Sequence, residues 1–250
     1  MTKETFSAER QPDLSTVPAI ILCAGKGSRM GLPIENRVPK SLVEIEPNRV
    51  LLQYVMELLV ASGVTDATLC VAYQAENIIG YFRSNPAQLN LDYSKESFPR
   101  SVMETFRSAL RNLDPKTDFL LLHGDEIILN VSLRDMFSLH KSHHGVATAL
   151  LSNNAQAEKT VIMKLENSGL VSNPIRNSPD HFPTYSASLG LFLFRPDIKQ
   201  EVGRFVSWEE MIRTLAYEGK LYGFPSDAYF FNINSPPDIQ RFLDFCSQTR

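Results

Sequence analysis

The chain has 250 residues, 43% of them hydrophobic and 21% charged, with a formal net charge of -3. That length and apolar content suffice to bury one sizeable core, whereas the slightly acidic balance offers no polyanion-binding surface and argues against nucleic acid as a partner. Cys23, Cys70 and Cys246 lack C-x-x-C spacing and read as reduced thiols rather than disulfides or zinc ligands.

Residues 1–16 carry neither an apolar targeting run nor an arginine-rich amphipathic pattern and read as a flexible tail. Residues 17–250 then form a single domain, and no later apolar run approaches membrane-spanning length. The expectation is a soluble, cytoplasmic protein. Ala19-Ile20-Ile21-Leu22-Cys23-Ala24 has the length and branching of a strand buried on both faces of a parallel sheet. It runs directly into Gly25-Lys26-Gly27-Ser28-Arg29-Met30, where glycines let the backbone turn and approach a ligand. Such a loop at the carboxyl end of a first strand is where open α/β sheets turn N–H groups towards phosphate oxygens. Lys26, Arg29 and Lys40 add three cations within reach, so the loop reads as an anion site. It is neither a P-loop nor the dinucleotide fingerprint, whose third glycine is replaced by Met30.

Ser41 to Ile45 reads as a short extended segment, and Val50 to Ser62 as a helix that stops at Gly63. A strand (Ala67 to Ala72), a helix (Ala75 to Phe82), a strand (Asn90 to Tyr93), a helix (Ser101 to Leu113) and a buried strand (Asp118 to His123) follow. Alternation at this spacing argues for βαβ units with right-handed crossovers and a mostly parallel central sheet, a nucleotide-binding layered α/β fold. Gly124-Asp125-Glu126 ends the last of these strands, where a carboxylate faces the crevice of the first loop and a cation can bridge it to phosphate. Residues from about 145 to 194 read as a smaller, strand-rich substrate lobe, and Val206 to Gly219 as a packing helix around the lone Trp208. His123, His140, His143 and His144 show no metal-ligand spacing.

The string A-G-K-G-S-R-M, followed ten residues later by Pro39-Lys40, resembles the signature of the NDP-sugar pyrophosphorylases, the sugar-1-phosphate nucleotidyltransferases. The resemblance runs from about Pro18 to Asp244. It implies a Mg²⁺-dependent enzyme that joins a nucleoside triphosphate to a sugar 1-phosphate and releases pyrophosphate. On that correspondence Arg29, Lys40 and Asp125 are catalytic, and Ala24, Gly25, Lys26, Gly27, Ser28, Glu96 and Ser101 bind the nucleotide. Asp125 is the metal-binding aspartate, and Phe231-Asn232-Ile233-Asn234-Ser235-Pro236-Pro237-Asp238 resembles the closing motif, with Asn234 on the second metal position and Ser235 and Asp238 capping the last helix.

Two departures bear on substrate choice. Glu96 keeps an acidic residue where the family reads the base, but Pro99-Arg100-Ser101-Val102-Met103-Glu104-Thr105 replaces the usual L-G-T-A. A carboxylate there accepts from guanine N–H groups or the cytosine amino group, which leans the reading to GTP or CTP. In the lobe, Asn177-Ser178-Pro179 and Ser188-Leu189-Gly190 stand where the family has E-K-P and N-A-G. Lys164 and Arg176 are candidates for the missing cation, with Ser188 and Gly190 at the acceptor. The altered anchors keep two alternatives open: a CTP-dependent cytidylyltransferase acting on phosphocholine or a phosphonate, and a catalytically idle regulatory homologue. Members of the family are often homo-oligomers, but the sequence carries no interface signature.

Overall fold

The computed structural model describes residues 12–25, 38–98, 100–152, 154, 161–176 and 185–249. In chain order the elements are β1 (Ala19–Leu22), a 3₁₀ turn (Lys40–Leu42), β2 (Glu44–Glu46), β3 (Arg49–Val50), α1 (Leu51–Ser62), β4 (Asp66–Val71), α2 (Ala75–Ser84), β5 (Asn90–Lys95) and α3 (Val102–Leu113). They continue with β6 (Phe119–His123), β7 (Glu126–Leu129), α4 (Leu133–Ser142), β8 (Ala147–Ser152), β9 (Val161–Leu165), β10 (Val171–Arg176) and β11 (Tyr185–Phe194). Last come α5 (Ile198–Glu201), α6 (Trp208–Tyr217), β12 (Leu221–Ser226), β13 (Tyr229–Asn232) and α7 (Pro236–Gln248).

The expected α/β architecture is present. Strands β5, β4, β1 and β6 run side by side and parallel, with Ile20 and Ile21 of β1 between Thr68 and Leu69 on one side and Leu121 and Leu122 on the other. Both faces of this region are covered, which is why these strands read as continuous apolar runs rather than alternating ones. On one face α1, α2 and α4 bring Leu52, Leu59, Ile78 and Met136 onto Ile21, Leu69 and Leu122. On the other, α3 and α6 bring Phe106, Leu110, Met211 and Leu215 onto Ile20, Leu121 and Phe194. Trp208 stands edge-on to Phe106, with the ring centroids 5.5 Å apart, the packing role expected of it.

Local signals hold at most element ends. Gly63 ends α1, and its N–H donates back to the Leu59 and Val60 carbonyls. Ser101 caps α3 in a reciprocal box with Glu104. Within the segment Ser41 to Ile45, Val43 to Ile45 are extended as expected, whereas Ser41 and Leu42 depart from that form. After Pro39 the chain winds through a single 3₁₀ turn, closed by the Val43 N–H on the Lys40 carbonyl, before it turns extended. The described strands of residues 145–194 also join the main sheet directly: β11 pairs antiparallel with β6, and β8 and β9 both pair with β11. These strands thus grow out of the parallel core through one shared strand, β11. Among the described residues, no helix is long and apolar enough to cross a membrane.

Candidate active site

The site is assembled at the carboxyl ends of β1 and β6. Gly124 follows β6, and its N–H donates to the Leu22 carbonyl at 2.9 Å. A Cβ on Gly124 would lie 2.9 Å from the Cys23 Cβ, so only glycine lets the two strand ends close to this distance. The chain then presents Asp125 over the end of β1, with a third of its side chain exposed. Lys40 arrives from the 3₁₀ turn, 8% exposed. Its ammonium donates to Asp125 Oδ2 at 2.5 Å and to Asn234 Oδ1 at 2.6 Å. Asn234 is delivered by β13, which pairs antiparallel with β7, and the Ile233 N–H donates to the Asp125 carbonyl to fix the two segments together.

Behind these three groups lies a polarised chain of side chains. Asn234 Nδ2 donates to Asn232 Oδ1 at 2.6 Å, and Asn232 Nδ2 faces Glu126 Oε1 at 3.4 Å. An ammonium only donates and a carboxylate only accepts, so the two ends dictate the flip of both amides. The start of α7 holds the far side. The Asp238 carboxylate, 2% exposed, accepts from the Asn234 N–H at 2.9 Å and the Ser235 hydroxyl at 2.8 Å, and pairs with Arg241.

Glu126 is 7% exposed, and its Oε2 has no hydrogen-bond partner. It packs on Gly190, which has φ +65, and a Cβ there would come within 2.5 Å of that oxygen. Burial pushes the Glu126 carboxyl up. Burial alone would lower the His123 imidazole, but the Glu126 carboxylate, 3.6 Å from Nδ1, more than offsets it and the group is raised. Ligand atoms of His123, Asp125 and Glu126 lie within 4.8 Å of one another.

The residues expected from the sequence fall into three sets. Lys40, Asp125 and Asn234 meet at one point. Ala24 and Gly25 sit just past β1, Ala24 buried and Gly25 exposed, and a Cβ on Gly25 would meet nothing within 4 Å. Glu96 follows β5, 7% exposed, with Oε2 accepting from the Thr105 hydroxyl at 3.1 Å and Oε1 unpartnered. The Ser101 hydroxyl is engaged by the α3 cap. Lys164 lies on β9 and is exposed, Arg176 ends β10, and Ser188 lies on β11 in register with Leu151. Lys26, Gly27, Ser28 and Arg29 lie outside the described residues, as does Pro99. His123, which shows no metal-ligand spacing in the sequence, stands beside Asp125 and Glu126, and neither Asn232 nor Glu126 had an assigned role. Alternation in F-N-I-N was the available signal, since it sets Asn232 and Asn234 on one side of the chain.

The nucleotidyl transferase family model matches residues 18–211. The chain belongs to the nucleotidyl transferase family. Mannose-1-phosphate guanyltransferase of Neurospora crassa is 28% identical over 230 residues, and mannose-1-phosphate guanyltransferase beta-A of Xenopus laevis 25% over 225 residues. Each match covers 88% of this chain and 62% of the relative, so the chain spans about three-fifths of the length of these curated relatives. HddC of Yersinia pseudotuberculosis, solved in complex with GMP-PN, superposes with TM-score 0.70 at 18% identity, covering 92% of this chain and 99% of that one. UDP-glucose pyrophosphorylase of Acinetobacter baumanii gives 0.75 at 16%, covering 90% and 91%. The resemblance seen in the A-G-K-G-S-R-M string is borne out, and this family member has the fold of those transferases.

Proposed function

We propose that this family member transfers a nucleotidyl group from a nucleoside triphosphate, GTP by preference, to a sugar 1-phosphate, releasing pyrophosphate and giving an NDP-sugar. The observation that carries the reading is the convergence of Lys40, Asp125 and Asn234 at the carboxyl ends of β1 and β6, where open α/β sheets bind nucleotides. The lean to GTP rests on the buried, unpartnered Glu96 Oε1 and on the guanyltransferases among the relatives.

In the reaction an acceptor phosphate oxygen attacks the α-phosphorus in line. One P–O bond forms as the bond to the bridging oxygen of the leaving pyrophosphate breaks. No covalent intermediate is required, so the protein's part is positioning and charge neutralisation. Lys40 is assigned to the α-phosphate and the attacking phosphate, and Arg29 with Lys26 and the amides of Gly25, Gly27 and Ser28 to the β- and γ-phosphates. Asp125 and Asn234 are assigned to Mg²⁺. The donor set fits: two hard oxygens converge on a single cationic atom, Lys40 Nζ, and Mg²⁺ takes few protein ligands beside phosphate oxygens. When bound, Mg²⁺ would neutralise charge on those oxygens. Gly190, Ser188, Arg176 and Lys164 are assigned to the acceptor side.

Pyrophosphate release from each common nucleoside triphosphate against a panel of sugar 1-phosphates tests the proposal. Turnover requiring GTP and one sugar 1-phosphate supports it. Turnover only with CTP and phosphocholine or a phosphonate would replace it.

A further inference from the structure

Lys40 has a second property that its assignment to phosphate does not use. Its ammonium sits on both oxygens assigned to the metal, Asp125 Oδ2 at 2.5 Å and Asn234 Oδ1 at 2.6 Å. The amide of Asn234 has one oxygen, and it cannot turn away to offer another acceptor, because its Nδ2 is committed to Asn232 Oδ1 at 2.6 Å. The lysine is 8% exposed, so its charge is poorly screened by water. A divalent ion on these oxygens would face a unit positive charge at contact distance. From this we infer that Lys40 and the catalytic cation exclude one another at Asp125 and Asn234, and that nucleotide phosphates, by offering Lys40 other acceptors, open the site to the metal. The inference rests on the assignment of Asp125 and Asn234 to the metal.

Two consequences follow from linkage. The cation binds weakly until a triphosphate draws the ammonium away, and metal and nucleotide strengthen each other's binding by the same factor. Lys40 therefore acts as a built-in cation that holds two like-seeking oxygens together, and its removal frees them.

Mn²⁺ binding to the full chain without nucleotide, read by titration calorimetry and by electron paramagnetic resonance, tests this independently of turnover. Lys40→Met is expected to bind Mn²⁺ at least tenfold more tightly than the wild type, and adding Asp125→Asn is expected to remove the gain. Lys40→Gln, which keeps a donor for Asp125 while deleting the charge, should show the same gain if Lys40→Met folds poorly. Lys40→Arg, which retains the charge, should stay as weak as wild type. Unchanged or weaker Mn²⁺ binding in folded Lys40→Met and Lys40→Gln would overturn the inference, as would an equal gain in Lys40→Arg. Absence of pyrophosphate release from the wild type would count against the proposed reaction and leave this readout intact.

Discussion

Lys40 and Asp125 are separated by 85 residues, yet their side chains meet at 2.5 Å across the carboxyl end of the parallel core. A pair of this kind stabilises a fold little when partly exposed, so its value lies in where it stands. Lys40→Ala and Asp125→Ala are each expected to lower kcat about 100-fold or more, the usual effect of losing one group that faces developing charge, about 3 kcal/mol. Circular dichroism and thermal unfolding should show both variants folded. Turnover near wild type in either would remove that residue from the catalytic role.

Gly190 and Glu126 form the second testable contact. Gly190→Ala combines a positive φ with a Cβ 2.5 Å from Glu126 Oε2, and the expected loss is about 1–3 kcal/mol in stability. Adding Glu126→Ala should restore the steric part and leave the backbone part. Denaturant unfolding of the double-mutant cycle reads the coupling, and strictly additive losses would contradict the contact.

Glu96 is expected to act on nucleotide choice rather than on chemistry. Its buried carboxylate keeps one oxygen unpartnered beside Thr105. Glu96→Gln removes a charged acceptor and should lower the GTP preference, measured as a ratio of kcat/KM values, by about 10–100-fold. A fall in kcat with all nucleotides alike would point instead to a structural role.

A buried histidine pair at the carboxyl end of α4 predicts acid sensitivity. His140 Nδ1 and His143 Nε2 both contact the Thr148 hydroxyl at 2.8 Å, and the His143 ring stacks on Tyr222. Burial lowers His140 to about 3 and His143 to about 4, with Arg195, Lys141 and His144 adding to the effect and Asp118 opposing it at His140. Both values lie below the ordinary 6.5, so the unfolded chain binds more protons. Stability is fully present above about pH 6.5 and is lost as pH falls towards 4 and 3. The midpoint of urea unfolding should drop between pH 7 and pH 5, and His143→Phe, which keeps a ring on Tyr222, should flatten that slope. A slope unchanged in the variant would assign the acid loss elsewhere.

Much of this was legible because the signals were local. The buried run at Ala19 and the glycine after Ser62 each rest on neighbouring residues, and the structure follows them. Lys40 and Asp125 were legible as candidates because each follows a recognisable string. What the sequence hid depended on distant pairing. Residues 145–194 read as a strand-rich lobe within the domain, but nothing local reports that β11 pairs with β6. Glu126 acquires a role only through the β7–β13 register, which sets Asn232 opposite it. Ser41 and Leu42 were hidden because one 3₁₀ turn after Pro39 leaves no periodicity to detect.

The central claim is that Lys40, Asp125 and Asn234 form the centre of a nucleotidyl-transfer site, and its most direct measurement is pyrophosphate release from GTP and mannose 1-phosphate by the wild type beside Asp125→Ala. Steady release that requires both substrates and falls about 100-fold or more in the variant is the expected result. Release that is equal in the two proteins would contradict it.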